Sequence, residues 1–370
     1  MNSIIPAPIA GLPWRIILIL LALVGFGATV LYSAAGGHFE PWAGKHVIRF
    51  LLYLAMALVM ARMPLDFWKN ITFPVYLILL VMLVAVELMG FVGGGSRRWI
   101  DLGIISIQPS ELMKPAMVLA AAWFFDRLPP NRIYGIDALW PLAAILIPPS
   151  ILVIIQPDFD AAIAYAFSLG VVGFMAGLPL IYFIGAGGAL AVIAPIVYFF
   201  GMKPYQQDRV LIFLNPENDP LGAGYHITQS KIAIGSGGIF GKGFGNGTQS
   251  HLDYLPEGHT DFVFATMAEE WGIVGGFFIL GLYFLLMRWG LNVAMQSKTR
   301  YGQLVAAGLT CTIFFYIMIN LLMVVGLAPV AGIPLPFVSH GGSSMLTMMI
   351  CVGIIMSIER NPGAKRGQFS

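Results

Sequence analysis

An all-α, polytopic membrane protein of about ten transmembrane helices, with a large extracytoplasmic loop between helices 7 and 8, is the fold class that this sequence predicts. Three observations carry the prediction. Of the 370 residues, 58% are hydrophobic and 10% are charged. A soluble domain carries roughly 25% charged residues, so lipid must cover most of this surface. The apolar residues fall in runs of about twenty, the length that crosses a bilayer core. One long polar stretch, Met202–Gly272, stands apart from these runs and collects acids, histidines, basic residues and glycines.

The expected spans are 14–33, 46–62, 72–90, 111–126, 140–155, 159–177, 180–200, 262–287, 301–327 and 337–358. The first lacks the charged leader and cleavage site of a signal peptide and is expected to remain as a span. Pro148, Pro149 and Pro157 are expected to interrupt the fifth and sixth, which is tolerated where neighbours satisfy the freed backbone. Residues 1–370 read as one polytopic domain, with 201–261 as the extracytoplasmic loop that carries the active-site segment.

Orientation follows from basic residues. With the N-terminus inside, Arg15, Arg62, Lys69, Arg127, Arg132, Arg288, Lys298, Arg300, Arg360, Lys365 and Arg366 are cytoplasmic. Only Lys45, Arg49, Arg97 and Arg98 fall in the short loops opposite, which is the positive-inside bias. Both termini are then cytoplasmic and the polar stretch faces outward. A net charge of +2 and the lack of any Lys/Arg-rich run exclude a nucleic-acid partner. Cys311 and Cys351 both lie in apolar runs, which argues against a disulfide framework or a zinc site.

Glu87, Glu111, Lys114, Glu269 and Glu270 lie within reach of the membrane interior. A charge at a helix centre costs about 2.5–3.5 kcal/mol on insertion scales, so each needs a partner or a cavity. Glu111 and Lys114 share a helix face after Pro109, either as a structural ion pair or as the wall of a hydrated cavity where Lys114 meets an anion. Asp261, just before Phe262–Ala268, is expected to cap the eighth span and to stay ionised at its N-terminus, ready to act as a base. Glu269 and Glu270, two turns deeper, are expected along the same cavity. His251, Asp253, Glu257, His259 and Asp261 form the densest group of potential metal ligands, but without a recognised spacing. A divalent cation is therefore a candidate cofactor with no ligands assigned. The glycine run Gly235–Gly247 fails both the Walker and GxGxxG patterns, leaving a flexible loop or a backbone cradle for pyrophosphate near Lys231 and Lys242. The small residues of 334–344 permit close backbone approach to a helix or a ligand.

The motifs, in order, are Arg98-Trp99, Gln108-Pro109-Ser110-Glu111 with Lys114, Gln156-Pro157-Asp158, the run from Asp219 to His226, the run from Gln229 to Gly238, Gly247-Thr248-Gln249-Ser250, Leu255-Pro256-Glu257, His259-Thr260-Asp261-Phe262 and Ser339-His340-Gly341-Gly342-Ser343-Ser344. Together they resemble the SEDS family (shape, elongation, division and sporulation proteins) over nearly the whole chain. Lys231 and the Gly247–Ser250 run are similar to the elongation branch. The resemblance implies a peptidoglycan glycosyltransferase that polymerises lipid II into a lipid-linked glycan strand on the outer face of the cytoplasmic membrane. It also implies a class B penicillin-binding protein as transpeptidase partner and other membrane proteins of the elongation complex. The family's essential aspartate falls on Asp261, and its cavity residues fall on Arg98, Glu111, Lys114, Lys231 and Ser343, with Arg209 from a YQxxR pattern. Asp158, Lys242, Glu257, His259 and Ser339, drawn from the same motifs and the glycine run, complete the candidate substrate-binding set. Two departures stand out: Phe159-Asp160-Ala161 adds a carboxylate after the Gln-Pro-Asp motif, and His340 replaces the usual tyrosine. Intramembrane charges and proline-broken helices also suit a lipid-precursor flippase or other transporter. Acids concentrated on one side of the bilayer and the absence of a visible inverted repeat favour the enzyme.

Overall fold

The computed structural model describes residues 13–89, 91–93, 96–101, 106–201, 207, 211, 212, 222–251, 254, 255, 257–330 and 332–362. The chain starts with three long helices, α1 (Trp14–Ala34), α2 (Ala43–Met60) and α3 (Leu65–Met89). A small antiparallel sheet follows: β1 (Phe91–Gly93), β2 (Ser96–Asp101) and β3 (Ser106–Ile107), with Phe91 opposite Trp99 and Ile100 opposite Ile107. The next helices are α4 (Pro109–Arg127), α5 (Ile136–Ile155), α6 (Phe159–Ala176) and α7 (Leu180–Ile196). Within the long loop lies α8 (Ala223–Gly237), and α9 (Val263–Gln296), α10 (Arg300–Val324) and α11 (Gly342–Arg360) complete the bundle.

Every expected span corresponds to a helix. Among the described residues nine helices are long and apolar enough to cross a membrane. The remaining expected span is α4, which carries Glu111, Lys114, Asp126 and Arg127. It tolerates them because protein surrounds it. It packs against α3, α6, α10 and α11, and its run from Met113 to Ala122 is buried throughout. In contrast, α7 has no buried residue and touches the bundle through Tyr182 and Phe183 near its start.

Pro157 lies at a break as expected, but Pro148 and Pro149 do not interrupt their helix. Helix α5 continues through Pro141, Pro148 and Pro149, and the chain breaks only at Gln156–Asp158. A proline frees the carbonyl four residues before it. For Pro149 that carbonyl is Ile145, and the Tyr76 hydroxyl donates to it at 2.9 Å.

The glycine run packs its backbone directly against α9. It clasps a kink in α9, where Gly272 takes φ 62° and ψ −157°. Lys242 and Gly243 donate their amides to the Glu269 and Glu270 carbonyls, and Ile273 and Val274 donate theirs to Gly238 and Ile239. The approach leaves no room for side chains. A Cβ on Gly241 would stand 2.1 Å from the Glu270 carbonyl oxygen, and one on Gly237 2.0 Å from that of Ala268. Glu269, fully buried, receives Lys242 Nζ at 2.6 Å and the Thr248 amide at 2.9 Å. Glu270 accepts from the Ser33 hydroxyl of α1. Both acids therefore serve this clasp and do not line the cavity. Glu87 is exposed near the end of α3.

Gly272→Ala should destabilise the protein by about 1–3 kcal/mol, since the added Cβ overpacks a tight contact at a positive φ. Gly281→Ala, in the same helix with nothing within 4 Å, is the control. Thermal unfolding in detergent checks this, and equal melting of the two variants would contradict the clasp.

Candidate active site

A cavity of about 780 Å³ opens where several segments of the bundle meet. Strand β2 brings Arg98 and Trp99, and the first turns of α4 bring Gln108, Glu111 and Lys114. The break between α5 and α6 brings Asp158 and Asp160. The turn before α9 brings Glu257, Thr260 and Asp261, and the 330–344 segment brings His340 to Ser344. Tyr316 of α10 also lines it.

Two of the charged groups are matched inside the wall. Lys114 Nζ lies 2.6 Å from Glu111 Oε1 and also donates to the Tyr316 hydroxyl, which donates to Glu111 Oε2. The Glu111–Lys114 pair is therefore an ion pair, and it stands in the cavity wall. Arg98 sits 3.6 Å from Asp158 Oδ1 and donates to the Gln156 and Pro157 carbonyls exposed by the helix break. Asp158, buried, also receives Ser110 Oγ at 3.0 Å and Gln108 Nε2 at 3.3 Å. The Gln156 side chain anchors the break to α3 by donating to the Leu83 carbonyl at 2.8 Å.

Asp261 is held by its backbone. Asn320 Nδ2, fully buried in α10, donates to the Asp261 carbonyl at 2.8 Å and to the Ile333 carbonyl at 2.7 Å, tying together two walls of the cavity. The helix begins only at Val263, with Phe262 in the N-cap position and no side-chain cap bond. Asp261 therefore does not cap α9. The preceding turn closes through its own backbone, with the Thr260 and Phe262 amides both on the Glu257 carbonyl. Among the described residues the Asp261 carboxylate has no hydrogen bond and no cation within 4 Å. Burial, and then the neighbouring Glu257 and Asp160 charges, push its pKa up to about 7. The expectation of a permanently ionised carboxylate gives way to one poised near neutrality, because desolvation and like charges replace the stabilising helix terminus.

His259 and Ser339 brace the wall from behind. The His259 ring stacks on Trp42 with centroids 4.0 Å apart, and burial lowers its pKa. Ser339 donates to the Thr260 carbonyl and accepts the Leu335 amide, while the His340 amide donates to the His259 carbonyl at 3.0 Å. His340 itself faces the cavity, and burial, followed by the Arg49 and His259 charges, lowers its pKa to about 4. Ser343 lines the cavity and is buried.

Two expected cations stand elsewhere. Lys242 is taken up by Glu269, and Lys231 is exposed beside the Gly326 turn. Arg209 and Asp253 lie outside the described residues. Among the described residues no three His, Cys, Asp or Glu side chains converge as metal ligands. Sequence reasoning missed Tyr316 and Asn320. Asn320 is a lone amide in an apolar span, a signal of the same kind as the intramembrane charges.

Removing Lys114 alone leaves Glu111 in the wall without its counter-ion, and breaking a buried pair costs about 3–5 kcal/mol. Lys114→Met should lose stability of that order, and Glu111→Gln with Lys114→Met should recover most of it. Denaturant unfolding of the double-mutant cycle checks this, with a fully stable Lys114→Met as the contrary result.

Comparison with known proteins agrees with this architecture. Residues 13–363 match the family model of the FtsW, RodA and SpoVE cell cycle proteins. The chain is 43% identical over 346 residues to the peptidoglycan glycosyltransferase MrdB of Escherichia coli K12, covering 93% of this chain and 92% of the relative. It is 31% identical to the peptidoglycan glycosyltransferase RodA of Treponema pallidum, covering 94% and 97%. A solved peptidoglycan synthase complex that coordinates polymerization and crosslinking contains a chain superposing with a TM-score of 0.83 at 30% identity, covering 95% of this chain and 98% of that one. The rod shape determining protein RodA of Thermus thermophilus superposes at 0.71 with 26% identity, covering 96% and 98%. The chain is a multi-pass membrane protein and belongs to the FtsW/RodA/SpoVE family of cell cycle proteins.

Proposed function

We propose that the cavity is the polymerising site of a peptidoglycan glycosyltransferase acting in cell elongation, with Asp261 as its general base. The observation that carries the assignment is the Asp261 carboxylate: placed in the cavity, without a described side-chain partner, and raised to about 7. A base works best when its pKa lies near the operating pH, and such catalysis contributes about 10²–10⁴-fold.

The chemistry follows from the leaving group. A glycosidase needs two carboxyl groups because a sugar alkoxide departs poorly without an acid. Lipid II carries its sugar on a lipid pyrophosphate, which departs without protonation, so one base is enough. Asp261 takes the proton of the acceptor hydroxyl as that oxygen attacks the donor's anomeric carbon. The carbon–pyrophosphate bond breaks on the opposite face, and the configuration inverts. Burial of Asp261 beside Glu257 and Asp160 makes the carboxylate a stronger base than a solvated aspartate. It also leaves the developing negative charge on the departing pyrophosphate to be met by cations of the cavity.

The distribution of basic residues supports a cavity that faces outward with both termini in the cytoplasm. Polyprenyl tails would then enter sideways between helices. Similarity to a chain of a peptidoglycan synthase complex supports a class B penicillin-binding protein as crosslinking partner.

Polymerisation of labelled lipid II by the purified protein with its transpeptidase partner tests the proposal. Asp261→Asn should lose at least about 10²-fold in rate while melting as the wild type does. A folded variant that polymerises at the wild-type rate would remove Asp261 from the base role.

A further inference from the structure

The proposed reaction expels a pyrophosphate, yet both described cations of the cavity lining are already matched, Lys114 by Glu111 and Arg98 by Asp158. The cation that stands ready lies one layer behind, on α2. Residues His46 and Arg49 share a face of that helix and pack on the segment leading into α11. His46 Nε2 is 3.1 Å from the Phe337 carbonyl, and Arg49 Nη1 is 3.4 Å from His340 Nε2. The guanidinium lies against Gly342, where a Cβ would meet Arg49 Cζ and Nη1 at 3.4 Å. Both His340 and Gly342 line the cavity.

Among the described residues no carboxylate lies within 4 Å of Arg49, and its polar neighbour is the neutral ring of His340. A half-buried guanidinium within a membrane bundle is costly unless something neutralises it. Here the neutralising group can be the ligand. A guanidinium presents five N–H donors in a planar fork that matches phosphate oxygens, and one bond to His340 leaves the others available. Arg49 thus sits directly behind two lining residues, bonded to the His340 ring and lying against the bare backbone of Gly342.

We infer that Arg49 is a phosphate-binding residue of this cavity, which pairs with the pyrophosphate of a polyprenyl-linked sugar donor and is oriented by His340. The inference rests on the glycosyltransferase reading. It adds the group that receives the leaving charge and gives a role to the histidine that stands where the family usually has tyrosine.

The test is binding of a polyprenyl pyrophosphate, compared with the matching monophosphate and the neutral polyprenol, to the full-length protein in nanodiscs of zwitterionic lipid. Arg49→Gln keeps a donor for His340 but removes the charge. It should weaken pyrophosphate binding by about tenfold or more, the scale of a charge-assisted hydrogen bond, and leave the polyprenol unchanged. Arg49→Lys, a point charge without the fork, should fall between. A purely structural Arg49 would weaken all three ligands alike, and that result, or wild-type pyrophosphate binding by a folded Arg49→Gln, overturns the inference. If the Gln variant does not fold, wild-type pyrophosphate binding by Arg49→Lys overturns it. Asp261→Asn separates this from the general-base proposal: it should still bind pyrophosphate, no more weakly than the wild type, while failing to polymerise. If it polymerises normally while Arg49→Gln loses the pyrophosphate, the base assignment falls and the Arg49 site stands.

Discussion

Charge placed inside an apolar bundle must be matched, because removing an ion from water costs several kcal/mol even after the protein relaxes. Most of this architecture can be understood as ways of meeting that cost. Glu269 is met by Lys242 and two backbone amides, at the clasp that holds the kink of α9. Glu111 is met by Lys114 and Tyr316, which ties α4 to α10. Asp158 is met by Arg98, Ser110 and Gln108, which joins the β2 strand and the start of α4 to the broken end of α5. Each neutralised acid is also a joint between elements distant in sequence.

Against that background Asp261 is the exception. The structure spends its hydrogen bonds on the backbone around it: Asn320 on its own carbonyl, Ser339 on that of Thr260, and the His340 amide on that of His259. The peptide is fixed while the carboxylate is left in the cavity with two acidic neighbours. Positioning a group rigidly while withholding a counter-ion is how a site keeps a carboxylate basic near neutral pH.

Much of this was legible in the sequence, and for physical reasons. Twenty-residue apolar runs have one common fate, so the helices could be located from composition, α4 included despite its charges. Glu111 and Lys114 marked the cavity, since such residues are too costly to be incidental, whereas Glu269 and Glu270, expected along the same cavity, are taken up by the clasp and by Ser33 instead. What could not be read depends on long-range contact. Gly237, Gly241 and Gly272 look like a flexible loop until the backbones that they let meet are known. Asp261 looked like a cap because its neighbours are apolar, but the turn closed by Glu257 delays the helix to Val263 and returns the carboxylate to the cavity. Pro149 looked like a break because Tyr76, which accommodates the carbonyl that it frees, comes from another helix. The sheet that carries Arg98 and Trp99 is too short to show a periodicity.

In the proposed reaction Asp261 is a base whose affinity for protons is set by burial and by the acids beside it. The pH dependence of lipid II polymerisation, for the wild type and for Glu257→Gln, tests it most directly. The folded-state pKa of Asp261 is raised, so the ionised, active form should be lost as pH falls through about 7. Removing the Glu257 charge makes ionisation easier and should move that acidic limb to lower pH. A limb that stays in place in Glu257→Gln, or one that lies near pH 4 in the wild type, would contradict the account.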